Sequence, residues 1–210
     1  MSRSDTDTHD RLLAVATRLF SERGFRRVTV RQICQAADAN VAAVNYHFQD
    51  KTGLYRAVLE RGIALMRETT ELSQQAPDGT AAPEERLRLF ICVVIARMMR
   101  SGTDSWLARI LGHELADPTP EFDALVDRAI KPRLRVLSEL VATVLGCAHD
   151  DPRVYLGVAS IQSQILQLTG RHPLAERLHW RRHWTAEDIG AHIAAFSIAG
   201  LHALRERKKK

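Results

Sequence analysis

Apolar residues recur along this chain every three to four positions, and nowhere do they alternate long enough to suggest a strand. Leu12, Leu13, Ala16, Leu19 and Phe20 form one stripe, with Gly24 as its natural stop. Leu87, Phe90, Ile91, Val94, Ile95 and Met98 form another. Trp106, Leu107, Ile110, Leu111 and Leu115 follow, ended by Asp117-Pro118. Phe122, Leu125, Val126 and Ala129, continued by Leu134, Leu137, Val141, Val144 and Leu145, predict a long helix closed by Gly146. Pro132 inside it predicts a kink. Val154, Val158, Ile161, Ile165 and Leu168 predict the next helix, and Ile189, Ile193, Phe196, Leu201 and Leu204 the last. The predicted fold class is all-α.

All seven prolines lie after residue 76, so the first part of the chain suits short helices joined by tight turns. The segment Gln74-Gln-Ala-Pro-Asp-Gly-Thr-Ala-Ala-Pro83 reads as a linker. It divides a small front module from a larger rear one; the expected domains are 1–62 and 63–204, with a basic tail at 205–210. Charge follows the same division. The front module holds 10 Lys+Arg against 7 Asp+Glu, and the tail 5 against 1. The stretch between holds 15 against 17, so the net +5 belongs to the two ends. A basic end can neutralise phosphates and bind nucleic acid in a salt-dependent way.

Residues 29–48 carry the strongest local signal. Thr29-Val-Arg-Gln32 predicts a capping box opening a short helix with Ile33 and Ala36-Ala37 on its inner side. Asp38-Ala39 breaks that helix, and Asn40 predicts the N-cap of the next, Val41-Ala-Ala-Val-Asn-Tyr-His47, with Val44 and Phe48 facing inward. Asp50 then caps a helix starting at Lys51. Two short helices joined by a tight turn make a helix-turn-helix. A major groove admits one α-helix. The first half of the second helix offers Asn40, Val41, Ala42, Ala43 and Asn45 to base edges: Asn bonds bidentately to adenine, and small apolar groups meet the thymine methyl. Thr29, Arg31, Tyr46, His47 and Lys51 are placed for phosphates.

With these residues in order, the stretch from about residue 10 to 60 resembles the N-terminal domain of TetR-family transcriptional regulators. The matching features are Leu12 to Phe20 with Glu22-Arg-Gly-Phe25, Thr29-Val-Arg-Gln-Ile33, Ala36-Ala37, Val44-Asn-Tyr-His-Phe48 and Lys51-Thr-Gly-Leu-Tyr55. The wording of 40–48, with Asp117-Pro-Thr-Pro-Glu-Phe122, is most similar to the CecR-type branch. The chain departs from the family in having Asp38 where Gly is usual, and Val41 and Ala42 where Lys or Gly are common. The resemblance implies a homodimer on a pseudo-palindromic double-stranded DNA operator, with half-sites about 34–36 Å apart. It further implies C-terminal helices that dimerise and enclose a small-molecule effector site. An effector bound there is expected to shift the helix from Lys51 and lower DNA affinity by linkage. Repression is the family's usual mode.

In the rear module, polar residues within apolar helices are the candidates for an effector pocket: Arg109, His113, Glu114, Gln162 and Gln164, with Met98, Met99 and Trp106 as lining. Arg109 and His113 share a face, and a buried Arg–Glu pair is the competing reading. Gly190, Ala194, Ala195, Ala199 and Gly200 allow close helix approach, so the last helix and the one at 152–169 are expected to form the dimer interface. His179 and His183, like Asp188 and His192, have helical metal-ligand spacing but no assured third ligand, so no metal is expected.

Other classes fit less well. The chain has no G-x-S-x-G, P-loop, H-E-x-x-H or G-x-G-x-x-G motif, so no enzyme and no cofactor are expected. Cys34, Cys92 and Cys147 are isolated, which fits neither a disulfide framework nor a zinc ribbon and suits a cytoplasmic protein. The longest apolar run, Leu89 to Ala96, is too short to cross a membrane, and the polar N-terminus lacks a signal peptide's apolar stretch. The remaining alternative is a helical adaptor that reads no DNA, and salt dependence of DNA binding separates the two.

Overall fold

The computed structural model describes residues 3–75, 81–99, 106–169, 177 and 184–206. All regular structure among them is helical. The elements are α1 (Arg3–Arg23), α2 (Val30–Ala36), α3 (Val41–Phe48), α4 (Lys51–Gln74), α5 (Pro83–Met99), α6 (Trp106–Ala116) and α7 (Phe122–Leu125). They continue with a π-helical turn (Val126–Ile130), α8 (Lys131–Leu145), α9 (Pro152–Thr169) and α10 (Ala186–Glu206). Linker residues 76–80, the His179 and His183 pair and tail residues 207–210 lie outside the described residues.

Two compact units emerge: 1–65 with 106–126, and 66–105 with 127–210. Compactness divides the chain at 65/66, close to the 62/63 boundary expected, and groups Trp106–Val126 with the first unit. The reason is visible at α6. Leu107, Ile110 and Leu111 are buried, and the next position of that stripe is Glu114. Glu114 is buried because the Tyr55 hydroxyl donates to its carboxylate at 2.5 Å, with the Thr119 backbone N–H at 2.9 Å and its hydroxyl at 3.0 Å. Leu115, expected in the core, is exposed instead. The Arg109 guanidinium donates to Ser21 Oγ at 3.3 Å, and the His113 ring lies 3.2 Å from the Ser21 carbonyl. In α1, Leu12, Ala16, Leu19 and Phe20 are all buried. Phe20 meets Tyr55 edge-on, with centroids 4.9 Å apart. Burying an aromatic or aliphatic side chain of this size contributes about 1.5–3 kcal/mol.

The second unit packs α5, α8, α9 and α10 around Leu87, Phe90, Ile91, Leu137, Val141, Ile161, Ile165 and Ile193. Gly190 is spent inside the chain: a Cβ there would lie 3.2 Å from Cys92 Sγ. Thr185 caps α10, its hydroxyl accepting from Asp188 N at 3.1 Å while the Asp188 carboxylate accepts from Thr185 N at 2.8 Å. That bonding holds the Asp188 carboxyl below its usual range. Asp188 is thus a cap, and no metal-binding cluster occurs among the described residues. The long helix around Pro132 is interrupted by a π turn rather than a bare kink. Proline lacks a donor and its ring crowds the carbonyl four residues back, and a wider turn relieves both. On α10, Phe196 is 65% exposed and Ser197 is buried in the place expected for it.

Candidate nucleic-acid interface

α2 and α3 are held by the local bonds the sequence predicts. Thr29 Oγ1 accepts from Gln32 N at 3.2 Å, and Gln32 Oε1 accepts from Thr29 N at 2.9 Å. Asn40 Oδ1 accepts from Ala42 N at 3.0 Å, which caps α3. Asp38 carries the turn with φ +49°, a left-handed conformation that a short polar side chain tolerates. Ile33, Cys34, Ala37, Val44 and Phe48 are buried beneath, while Ala36, expected inside, is exposed.

The inward anchors leave one face of α3 open. Asn40, Val41, Ala42 and Asn45 are exposed and Ala43 half-buried. Tyr46 is 74% exposed and projects a large amphipathic ring. Thr29, the N-cap of α2, and Arg31 on α2 are also exposed. Polar tips, small apolar groups and a basic residue on one short helix-turn-helix suit a groove rather than a core.

Two expected phosphate contacts are turned inward. The His47 side chain is only 5% exposed, because its Nε2 lies 3.3 Å from Asp5 on α1 and its ring meets His9 edge-on at 5.6 Å. His47 therefore braces α3 against α1 instead of projecting with Tyr46. Lys51 is half-buried, with its ammonium 4.2 Å from the Phe25 ring centroid, and desolvation lowers its pKa. Sequence periodicity gave no sign of either partner, since Asp5, His9 and Phe25 come from other segments.

The junction from α3 to α4 is unusually tight. Gln49 has φ +71° and ψ −52°, and Asp50 N donates to Phe48 O at 2.9 Å, which closes a γ-turn of the strained, positive-φ kind. Asp50 Oδ1 accepts from Gly53 N at 2.8 Å and caps α4. Further along α4, the Arg56 guanidinium grips Glu121 at 2.9 and 2.8 Å, which holds the Glu121 carboxyl below its usual range.

A model of bacterial regulatory proteins of the tetR family matches residues 12–58, and a model of the C-terminal domain of the HTH-type transcriptional dual regulator CecR matches 83–201. The chain belongs to the TetR family and is CecR-like. It is 28% identical to the dual regulator CecR of Shigella flexneri over 84% of this chain and 81% of that one. It is 33% identical to the HTH-type transcriptional repressor Rv1474c of Mycobacterium tuberculosis over 66% of this chain and 74% of the relative. Among solved structures it is similar to AibR in complex with isovaleryl coenzyme A and operator DNA. That match has a TM-score of 0.70 at 24% identity and covers 90% of this chain and 97% of AibR. The family consists of DNA-binding transcriptional regulators, not enzymes. No described helix is long and apolar enough to cross a membrane.

The eight residues expected to form an effector pocket fall into the two units. Trp106, Arg109, His113 and Glu114 belong to the first, and Glu114 and His113 have the partners given above. Met98, Met99, Gln162 and Gln164 belong to the second, where Met98 Sδ lies 3.7 Å from Thr169 Oγ1. Gln164 lines an open groove of about 370 Å³ between α9 and α10, with Leu156, Ser160, Phe196, Gly200 and Leu204. The residue that sequence reasoning passed over is Arg133, a buried cation on α8.

Proposed function

We propose that this TetR-family chain is a repressor acting as a homodimer. The α3 helices of the two copies enter successive major grooves of a pseudo-palindromic operator, and a small-molecule effector held in the second unit releases them. The observation that carries the reading is α3 itself: a capped eight-residue helix whose Val44 and Phe48 are buried while Asn45 and Tyr46 stand exposed. In this reading Asn40, Val41, Ala42, Ala43 and Asn45 meet base edges. Thr29, Arg31 and Tyr46 meet phosphates, Lys51 does so by leaving the Phe25 ring, and His47 positions the helix. Residues 1–62 read DNA, and most of 63–204 serves dimerisation and effector binding.

Dimerisation through α9 and α10 is supported by their exposed apolar side chains. Tyr155 is 75% exposed, Leu156 59% and Phe196 65%, and Gly200 faces open space. Leu156, Phe196 and Gly200 line one groove; an exposed apolar surface of this kind marks a protein contact, and a two-fold axis there makes a four-helix bundle.

Selection from random DNA with the purified chain is expected to recover two inverted half-sites about one helical turn apart, or a multiple of it. Phe196→Glu, combined with Leu156→Glu, is expected to yield a folded monomer by sedimentation and to lower operator affinity at least tenfold. A selected site without inverted symmetry, or a double variant that remains dimeric, contradicts the proposal.

A further inference from the structure

In the second unit, two partly buried guanidinium groups have carboxylate partners. Arg97 pairs with Glu68, and Arg153 with Asp151 at 2.7 Å. Arg133 is more deeply placed than either, at 5% exposure, and no hydrogen bond or ion pair joins it to any described residue. Burial lowers the Arg133 pKa to about 10, so the group remains a cation at neutral pH.

The local backbone puts the cation there. Ala129, Arg133 and Leu137 are spaced by four residues and all buried. On a regular α-helix such a series drifts by about 40° per step. The π turn at Val126–Ile130 sits where that drift would begin, immediately before α8. Single π turns of this type recur at functional sites. An unpaired buried charge costs several kcal/mol, and an apolar residue of similar volume would cost far less. A guanidinium held at such a position is completed by an anion, whose carboxylate or phosphate matches the planar fork in bidentate fashion.

We infer that Arg133 is the anion-recognising residue of the effector site. Its ligand is a small molecule carrying a carboxylate or phosphate on an apolar body. The inference rests on the effector-binding reading above and adds the ligand's chemical class.

The test uses the full chain and two probes, octanoate and inorganic phosphate, each compared with chloride at equal ionic strength. One of them at saturation is expected to raise Tm by about 5 °C, as ligand binding to the folded state alone does. A response to octanoate identifies a carboxylic acid, and a response to phosphate a phosphorylated compound. Arg133→Met is expected to abolish the shift while melting in chloride no lower than the unmodified chain. Arg133→Lys keeps the charge without the fork and is expected to raise the midpoint concentration about tenfold. It also serves if Arg133→Met fails to fold. No shift by either anion, or an equal shift or midpoint in the variants, overturns the assignment. Operator binding in chloride is measured in parallel. A chain that binds operator but ignores both anions refutes the ligand class alone, whereas loss of operator binding in the unmodified chain refutes the DNA reading.

Discussion

Replacing Glu114 with Ala is expected to lower stability by about 3 kcal/mol, since it strands the Tyr55 hydroxyl and leaves a small void. Tyr55 is 1% exposed and its hydroxyl donates to Glu114 at 2.5 Å, so no water replaces the lost acceptor. Burial first, and the adjoining carboxylate second, raise the Tyr55 pKa and keep the phenol a neutral donor. The Thr119 N–H and hydroxyl lose the same acceptor, but Thr119 is only half-buried and water can serve it. For a chain of this size the expected fall in Tm is about 6–12 °C. Glu114→Gln keeps shape and an acceptor and is expected to cost about 1 kcal/mol. A double-mutant cycle with Tyr55→Phe is expected to show coupling of at least about 1 kcal/mol. Urea midpoints for Glu114→Ala unchanged from the parent would remove this network from the account.

Gly53→Ala gives an expected result opposite in sign to helix propensity. In an ordinary helix interior the change stabilises by about 1 kcal/mol. Here the added Cβ would lie 1.9 Å from the Phe48 carbonyl oxygen, a backbone atom that cannot rotate away. That carbonyl also accepts from Asp50 N in the γ-turn, and Phe48 is the buried anchor of α3. The strain therefore displaces α4 against α3. Overpacking of this kind costs about 1–3 kcal/mol. Base and phosphate contacts need their groups held within about 0.5 Å. Operator affinity is expected to fall at least tenfold, equivalent to about 1.4 kcal/mol. Circular dichroism would show helix content retained. A Gly53→Ala chain as stable as the parent and binding DNA equally well would show that the junction yields without consequence.

The helical class, the capping box at Thr29, the cap at Asn40 and the cap at Asp50 were legible because each rests on residues within a few positions of one another. Errors appear where a partner comes from far along the chain. Leu115 and Glu114 compete for the inner face of α6, and hydrophobicity alone favours Leu115. The structure buries Glu114 because Tyr55, 59 residues earlier, supplies a donor. His47 reads as an outward residue until Asp5 and His9 are placed beside it. Phe196 belongs by spacing to the core stripe of α10, yet it is exposed toward the α9 groove, which fits a surface awaiting a second copy. Arg133 in Lys131-Pro-Arg133 looks like solvated charge. The π turn precedes its burial, and periodicity fixed at 3.6 residues does not anticipate that turn.

The central claim is that α3 enters duplex DNA while the flanking residues hold phosphates. Its most direct test is the affinity of the purified chain for its selected operator, measured by fluorescence anisotropy at 50 and 200 mM salt, with Tyr46→Ala alongside. With 6–10 phosphates contacted, the parent affinity is predicted to fall by about 10³–10⁵ across that range. Tyr46→Ala is predicted to weaken binding by about 1–3 kcal/mol with the fold and the dimer intact. An affinity indifferent to both salt and Tyr46 would contradict the account.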